Sequence, residues 1–231
     1  MSAPDIQVVD DPAGSVVDLM VRAAAAGRHI VLTGGSTPRV AYERAAEIDV
    51  DWSRASFWFG DERCVPPENE HSNFGMADKA LLSKIEPKAV YRMRGELGPH
   101  DGARDYEQQL AGVFGQGVLP ELGLLLLGLG PDAHCASLFP GDPAVGEQTK
   151  TVVGVETPGM APLVPRISLT LPLLNAASEV VFLVTGEDKA EAVARAFGGL
   201  RPGPDAPASL VRPDPGSLTV LLDEAAAKHL N

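Results

Sequence analysis

The sequence predicts an α/β protein: a single-domain, Rossmann-like, largely parallel sheet with helices on both faces, spanning residues 1–231. Three observations carry this. Strand-like and helix-like segments alternate almost from end to end of the chain. Two strand-like runs, residues 124–127 (LLLL) and 180–184 (VVFLV), are apolar at every position, as in strands buried on both faces of a parallel sheet. The length of 231 residues suits one α/β domain able to bury a full core.

In chain order, residues 15–26 are rich in Ala, Val and Leu and end at Gly27, which predicts a helix and its stop. Residues 29–33 (HIVLT) read as a strand and 38–46 as the helix after it. The aromatic run 56–59 (SFWF) reads as a short strand that delivers Gly60-Asp61-Glu62-Arg63. Phe74, Ala77, Leu81 and Leu82 give residues 73–84 a helical spacing, followed by a strand at 90–93 and a helix at 101–114. Beyond the Leu-rich strand, residues 151–155 and 166–169 read as short strands. A helix at 187–197 follows the 180–184 strand, residues 208–211 form a short helix among Gly/Pro-rich loops, 217–222 closes the sheet, and 224–229 is a terminal helix. No internal repeat or low-complexity linker interrupts this order.

Composition narrows the function classes. Nineteen basic and 31 acidic residues give a net charge of −12, which argues against nucleic-acid partners. An anionic ligand must then be held by a few local cations and backbone N–H groups. No stretch approaches the ~20 apolar residues of a membrane span, and the N-terminal MSAPDIQVVDD lacks a basic-then-apolar signal pattern. A cytoplasmic protein without membrane partners is expected. The two cysteines, Cys64 and Cys135, read as reduced packing residues, and without CxxC spacing no zinc site is expected.

Four places concentrate chemistry. Gly34-Gly35-Ser36-Thr37-Pro38 follows a strand and opens a helix: close backbone approach, two hydroxyls and a helix N-terminus suit an anion such as phosphate. The loop is neither a Walker sequence nor a GxGxxG. Asp61-Glu62-Arg63 sits at the same strand edge, with Asp61 or Glu62 to orient a partner and Arg63 to hold an oxyanion or phosphate; Glu62 reads best as solvated. Ser72-Asn73 is a helix cap, and Asn73 is a candidate to face the ligand. The Leu-rich strand ends in Gly128-Leu129-Gly130-Pro131-Asp132-Ala133-His134. His134 stands just beyond a buried strand with Asp132 two residues before it, where a general base belongs. His71 is the one rival among the five histidines. Arg166 and Lys189 are the distant cations that would complete a phosphate clamp.

Read together, LTGGSTP (32–38), GDER with VP and SN nearby (60–73), GLGPDAHCASLFPG (128–141), and PRISLT with the downstream GEDKA (165–190) resemble the 6-phosphogluconolactonases over nearly the full chain. The resemblance implies hydrolysis of 6-phospho-D-glucono-1,5-lactone to 6-phosphogluconate, with no cofactor and no metal; the expected assembly is a monomer or weak homodimer. It implies His134 as base, Asp132 or Asp61 to orient it, and Arg63 or a backbone N–H for the oxyanion. The phosphate would lie on Gly34, Gly35, Ser36 and Thr37, with Arg166 and then Lys189 or Arg63. The chain departs from the family in having Ala133 where glycine is usual. It departs from the related glucosamine-6-phosphate deaminases in having Ser137-Leu138-Phe139-Pro140 where that branch carries a glutamate. A sugar-phosphate isomerase or deaminase, and a non-catalytic sugar-phosphate-binding protein, are the competing readings.

Overall fold

The computed structural model describes residues 3–199 and 201–230. In chain order its elements are β1 (Asp5–Val8), α1 (Pro12–Ala25), β2 (His29–Leu32), α2 (Ser36–Ala45), β3 (Ser56–Phe59), β4 (Asp61–Arg63), α3 (Asn73–Ala80) and β5 (Ala89–Val90). Then come α4 (Pro99–Phe114), β6 (Leu124–Leu127), β7 (Val152–Val155), β8 (Arg166–Leu169), α5 (Leu171–Leu174), β9 (Glu179–Val184), α6 (Ala190–Phe197) and β10 (Ser217–Leu222). Seven strands form one parallel sheet in the order β1-β10-β9-β6-β2-β3-β5. Every residue of β3 and β6 is buried. Successive side chains point to opposite faces, so the sheet is covered on both sides, as the unbroken apolar runs predict.

Local chemistry starts the helices. The Asp11 carboxylate accepts the Gly14 N–H at 3.1 Å and Pro12 occupies the first turn of α1. The Ser72 hydroxyl accepts the Gly75 N–H at 3.0 Å at the head of α3. Two buried tyrosines then fasten strand ends beneath the cleft described below. The Tyr42 hydroxyl accepts the Thr33 N–H at 2.9 Å and donates to the Thr33 carbonyl at 3.0 Å. Tyr106 does the same for Phe59, at 2.8 and 3.3 Å.

Several expectations need correction. A second, antiparallel sheet in the order β4-β8-β7 takes the 151–155 and 166–169 strands out of the main sheet and makes a strand of Asp61–Arg63. The main sheet is closed by β1, not by 217–222. The mostly exposed DIQV of β1 carries no apolar signature because it lies at the edge. Residues 224–229 are turns rather than a helix: six residues are too few to repay nucleation, and Asp223 draws the Ala226 N–H (2.7 Å) and the Gly186 N–H (3.0 Å) to its own carboxylate. The 73–84 helix ends as α3 at Ala80 with a 3-10 turn at Leu82–Lys84, and the 90–93 strand shrinks to β5. A 3-10 turn at Glu187–Lys189 precedes α6, and the short helix near 208–211 is a 3-10 turn at Pro207–Leu210.

Ala133 has φ 66° and a fully buried side chain. Tyr42→Phe leaves a buried N–H and C=O of Thr33 without their partner and is expected to lower unfolding free energy by about 1–3 kcal/mol, read by denaturant titration. For Ala133→Gly, relief of ~1–2 kcal/mol of left-handed strain is offset by ~0.8 kcal/mol of lost methyl burial and ~0.5–1 kcal/mol of chain entropy. The same titration is therefore expected to place this variant within about 1 kcal/mol of the parent.

Candidate active site

The main sheet reverses its order between β2 and β6: the chain leaves β2 toward β3 on one side and leaves β6 toward β9 on the other. Loops leaving such neighbours part from each other and open a crevice at the strands' carboxyl ends. A cleft of about 230 Å³ lies there, bounded by Gly34, Asp61, Arg63, His134, Arg166 and Lys189 among others.

The β6 loop carries the candidate base, His134. His134 Nδ1 lies 2.6 Å from Asp132 Oδ1, and the same oxygen accepts the His134 backbone N–H at 3.1 Å. This leaves Nε2 as the ring nitrogen free of the carboxylate. Burial works against ionisation of Asp132, but the hydrogen bond and charge of His134 outweigh it and hold the carboxyl below its ordinary value. The imidazole packs so closely over Gly130 that a Cβ there would fall within the ring, so only glycine fits. Phe139 closes on the imidazole with ring centroids 4.5 Å apart. Left-handed Ala133 and Ala136 (φ 48°) bracket His134 and Cys135, turning the loop sharply at the cleft wall.

The same cleft is also lined by cations. In the antiparallel pair β4/β8, Arg63 stands directly across from Arg166. Arg166 is 3% exposed; its Nη2 donates to the Pro162 carbonyl at 2.8 Å, and Arg63 Nη1 donates to the His71 carbonyl at 2.6 Å. Among the described residues, the Nε atoms of both arginines are buried without a hydrogen-bond partner. Burial, and then the charge of Arg63, pull the Arg166 guanidinium below its ordinary value. Two like charges, side by side and each with an unused donor, are chemically suited to an anion. Lys189 reaches the same cleft, its ammonium 3.7 Å from Asp188.

The remaining expectations divide. Gly34, Gly35, Asp61 and Asn73 line the cleft. Ser36 and Thr37 lie along the first turn of α2 instead, Ser36 exposed and the Thr37 hydroxyl 2.7 Å from that of Thr185. Asp61 holds other partners than the histidine: Ser137 Oγ at 2.6 Å and Asn73 Nδ2 at 3.2 Å. Asn73 leans on Gly34 so tightly that a Cβ there would collide with its amide. Glu62 is not solvated. It is buried and accepts the N–H groups of Asn73 and Phe74 (each 2.7 Å) and of Arg63 (2.8 Å), and the Ser72 hydroxyl (3.0 Å). Burial pushes its carboxyl up against the pull of those donors. His71, the rival histidine, is exposed and lends only its carbonyl, to Arg63.

Burial, and then the charges of Glu62 and Glu156, push the Cys64 thiol up to about 12, and burial raises Cys135 also, so neither is a thiolate at neutral pH. Among the described residues, no group of three or more His, Cys, Asp or Glu side chains is placed to hold a metal ion. Sequence reasoning gave no role to Ser137, Phe139 or Met160, all of which line the cleft. Proximity to His134 was the available signal for the first two; Met160 had none.

The family model for glucosamine-6-phosphate isomerases/6-phosphogluconolactonase matches residues 7–220. The chain is 41% identical over 215 residues to a 6-phosphogluconolactonase of Streptomyces coelicolor, covering 87% of this chain and 81% of that one. It is 40% identical over 181 residues to the human 6-phosphogluconolactonase, covering 77% and 69%. Its fold superposes on the structure of 6-phosphogluconolactonase from Trypanosoma cruzi with a TM-score of 0.87 and 30% identity, covering 100% of this chain and 98% of the other. Agreement of sequence over most of the chain, and of fold over all of it, leads to one conclusion: this chain belongs to the glucosamine-6-phosphate isomerase/6-phosphogluconolactonase family.

Proposed function

We propose that this protein hydrolyses 6-phospho-D-glucono-1,5-lactone to 6-phospho-D-gluconate in the oxidative pentose phosphate pathway. The observation that carries the reading is a carboxylate-paired histidine sharing one cleft with two arginines whose buried Nε donors lack partners among the described residues. The relatives named above are lactonases, and residues 137–140 (SLFP) offer no carboxylate after His134 for the ring-opening chemistry of a deaminase.

The substrate phosphate is assigned to Arg166, Arg63 and Lys189, with the backbone of Gly34 and Gly35 along one side. Ser36 and Thr37 belong to this clamp only through the helix turn they begin. With the phosphate anchored, the C1 carbonyl faces His134. Nε2 takes a proton from water as the water oxygen bonds to C1, giving a tetrahedral oxyanion. The C1–ring oxygen bond then breaks, and the imidazolium returns the proton to that oxygen. The new carboxylic acid ionises into solution. Asp132 fixes Nδ1–H as the donor tautomer and balances the transient imidazolium charge. Arg63 is placed to share the oxyanion's charge, a type of contribution worth ~3–4 kcal/mol. No step calls for a metal or cofactor. The same reading makes the protein a cytoplasmic monomer or weak homodimer whose partner is its substrate, with neither nucleic acid nor membrane. None of the described helices is long and apolar enough to cross a bilayer.

His134→Ala is expected to lower kcat on in-situ generated 6-phosphogluconolactone by about 10²–10⁴-fold while leaving inhibition by inorganic phosphate in place; near-parental turnover would remove His134 from the mechanism. Asp132 also makes a pH-dependent contribution to stability. Its carboxyl is depressed from 3.8, so the folded state gains from its ionised form above that value and loses the gain as pH falls through the depressed value. Asp132→Asn should therefore be less stable than the parent at neutral pH, with the gap closing in acid. Thermal unfolding across that range reads it, and a gap that is constant with pH would contradict the pairing.

A further inference from the structure

The two halves of the site belong to different sheets. The base sits on the loop after β6 of the parallel sheet, and the anion-holding arginines sit on β4 and β8 of the antiparallel one. The distance between them decides whether an anchored substrate meets His134. Along β4 and β8, side chains two apart share a face, so Asp61 lies beside Arg63 and Ser168 beside Arg166. The register pairs Asp61 with Ser168 just as it pairs Arg63 with Arg166. Four side chains thus form a square: two cations at one end, a carboxylate and a hydroxyl at the other.

Ser137, three residues after His134, grips the second end. Its hydroxyl donates to Asp61 Oδ2 at 2.6 Å, and its backbone N–H donates to Ser168 Oγ at 3.1 Å. Ser137 is 1% exposed and Ser168 fully buried, so water does not compete for these bonds. Left-handed Ala136 turns the chain immediately before it. Asn73 holds Asp61 from the other side, through the Asp61 carbonyl at 2.9 Å and Oδ1 at 3.2 Å.

We infer that Ser137 is a positioning residue: its paired bonds to Asp61 and Ser168 brace the His134 loop against the arginine-bearing sheet and set the spacing between base and anion. The inference rests on the lactonase reading. The Ser137 hydrogen bonds go to Asp61 and Ser168 and not to the imidazole or the guanidiniums, so its loss acts on their separation and not on either group's own chemistry.

The test compares the parent, Ser137→Ala and Ser168→Ala on phosphorylated and unphosphorylated gluconolactone, with inorganic phosphate as a competitive inhibitor. A misplacement of about 1 Å costs on the order of 10²-fold in rate. For Ser137→Ala, kcat on the phosphorylated lactone should fall by up to about that factor, with a smaller loss on the unphosphorylated lactone, which does not engage the arginines. The inhibition constant for phosphate should hold, because the arginine pair is intact. Ser168→Ala, which removes the acceptor of the backbone N–H and with it the hydroxyl's own bond to the Leu169 carbonyl (3.0 Å), should move the same readouts in the same direction, and carries the test if Ser137→Ala does not fold. Equal losses on both lactones, or a phosphate inhibition constant that rises in step with the loss of kcat, overturn the bracing role and leave the lactonase reading standing. A parent that does not accelerate hydrolysis of the phosphorylated lactone overturns both.

Discussion

Arg63 and Arg166 face each other across an antiparallel ladder, and much of the surrounding structure answers to that pairing. Like charges directly opposite on a sheet destabilise it, and the burial of Arg166 and part-burial of Arg63 add a desolvation cost that needs nearby compensation. The backbone bonds of β4 and β8 hold the pair together, while carbonyls of Pro162 and His71 take one donor from each. Negative charge comes from the same three-residue strand. Asp61 and Glu62 both carry it, and strand alternation sends them to opposite faces. Asp61 remains with the arginines, and Glu62 turns away to receive the first N–H groups of α3. One short segment thereby supplies a cation, its counter-charge and a helix anchor, and α3 in turn brings Asn73 back to Asp61.

This explains where the sequence was readable and where it was not. β6 and β9 announced themselves because a strand covered on both faces has no polar position to blur it. His134 and Asp132 stood out because they immediately follow such a strand. The antiparallel sheet gave no such signal: Asp61–Arg63 is fully charged and contains no apolar alternation, so its strand character comes from pairing with β8, more than 100 residues away in sequence. Glu62 looked solvated because its donors arrive from residues 72–74, a contact that local pattern does not contain. Ser36 and Thr37 fitted an anion-binding loop by type, but the start of α2 carries them past the cleft and leaves the glycines to face it.

Local strain and close packing concentrate at the same loop. Ala133 and Ala136 both adopt positive φ, and Gly130 accepts an imidazole where any side chain would stand. Such conformations persist only where the surroundings over-determine them. Here the surroundings are the buried β6 strand beneath and the Ser137 bonds beyond, so the histidine is held from both ends.

The ionised Asp132 beside His134 also bears on what happens after the chemistry. The lactone brings one charged group into the cleft, the phosphate, and its carbonyl end is neutral. In the proposed pose the product has gained a carboxylate at that end, beside Asp132 in a chain of net charge −12. On that reading, repulsion between the two carboxylates grows only once the ring has opened, so a site that admits the closed lactone is electrostatically set to release the open acid.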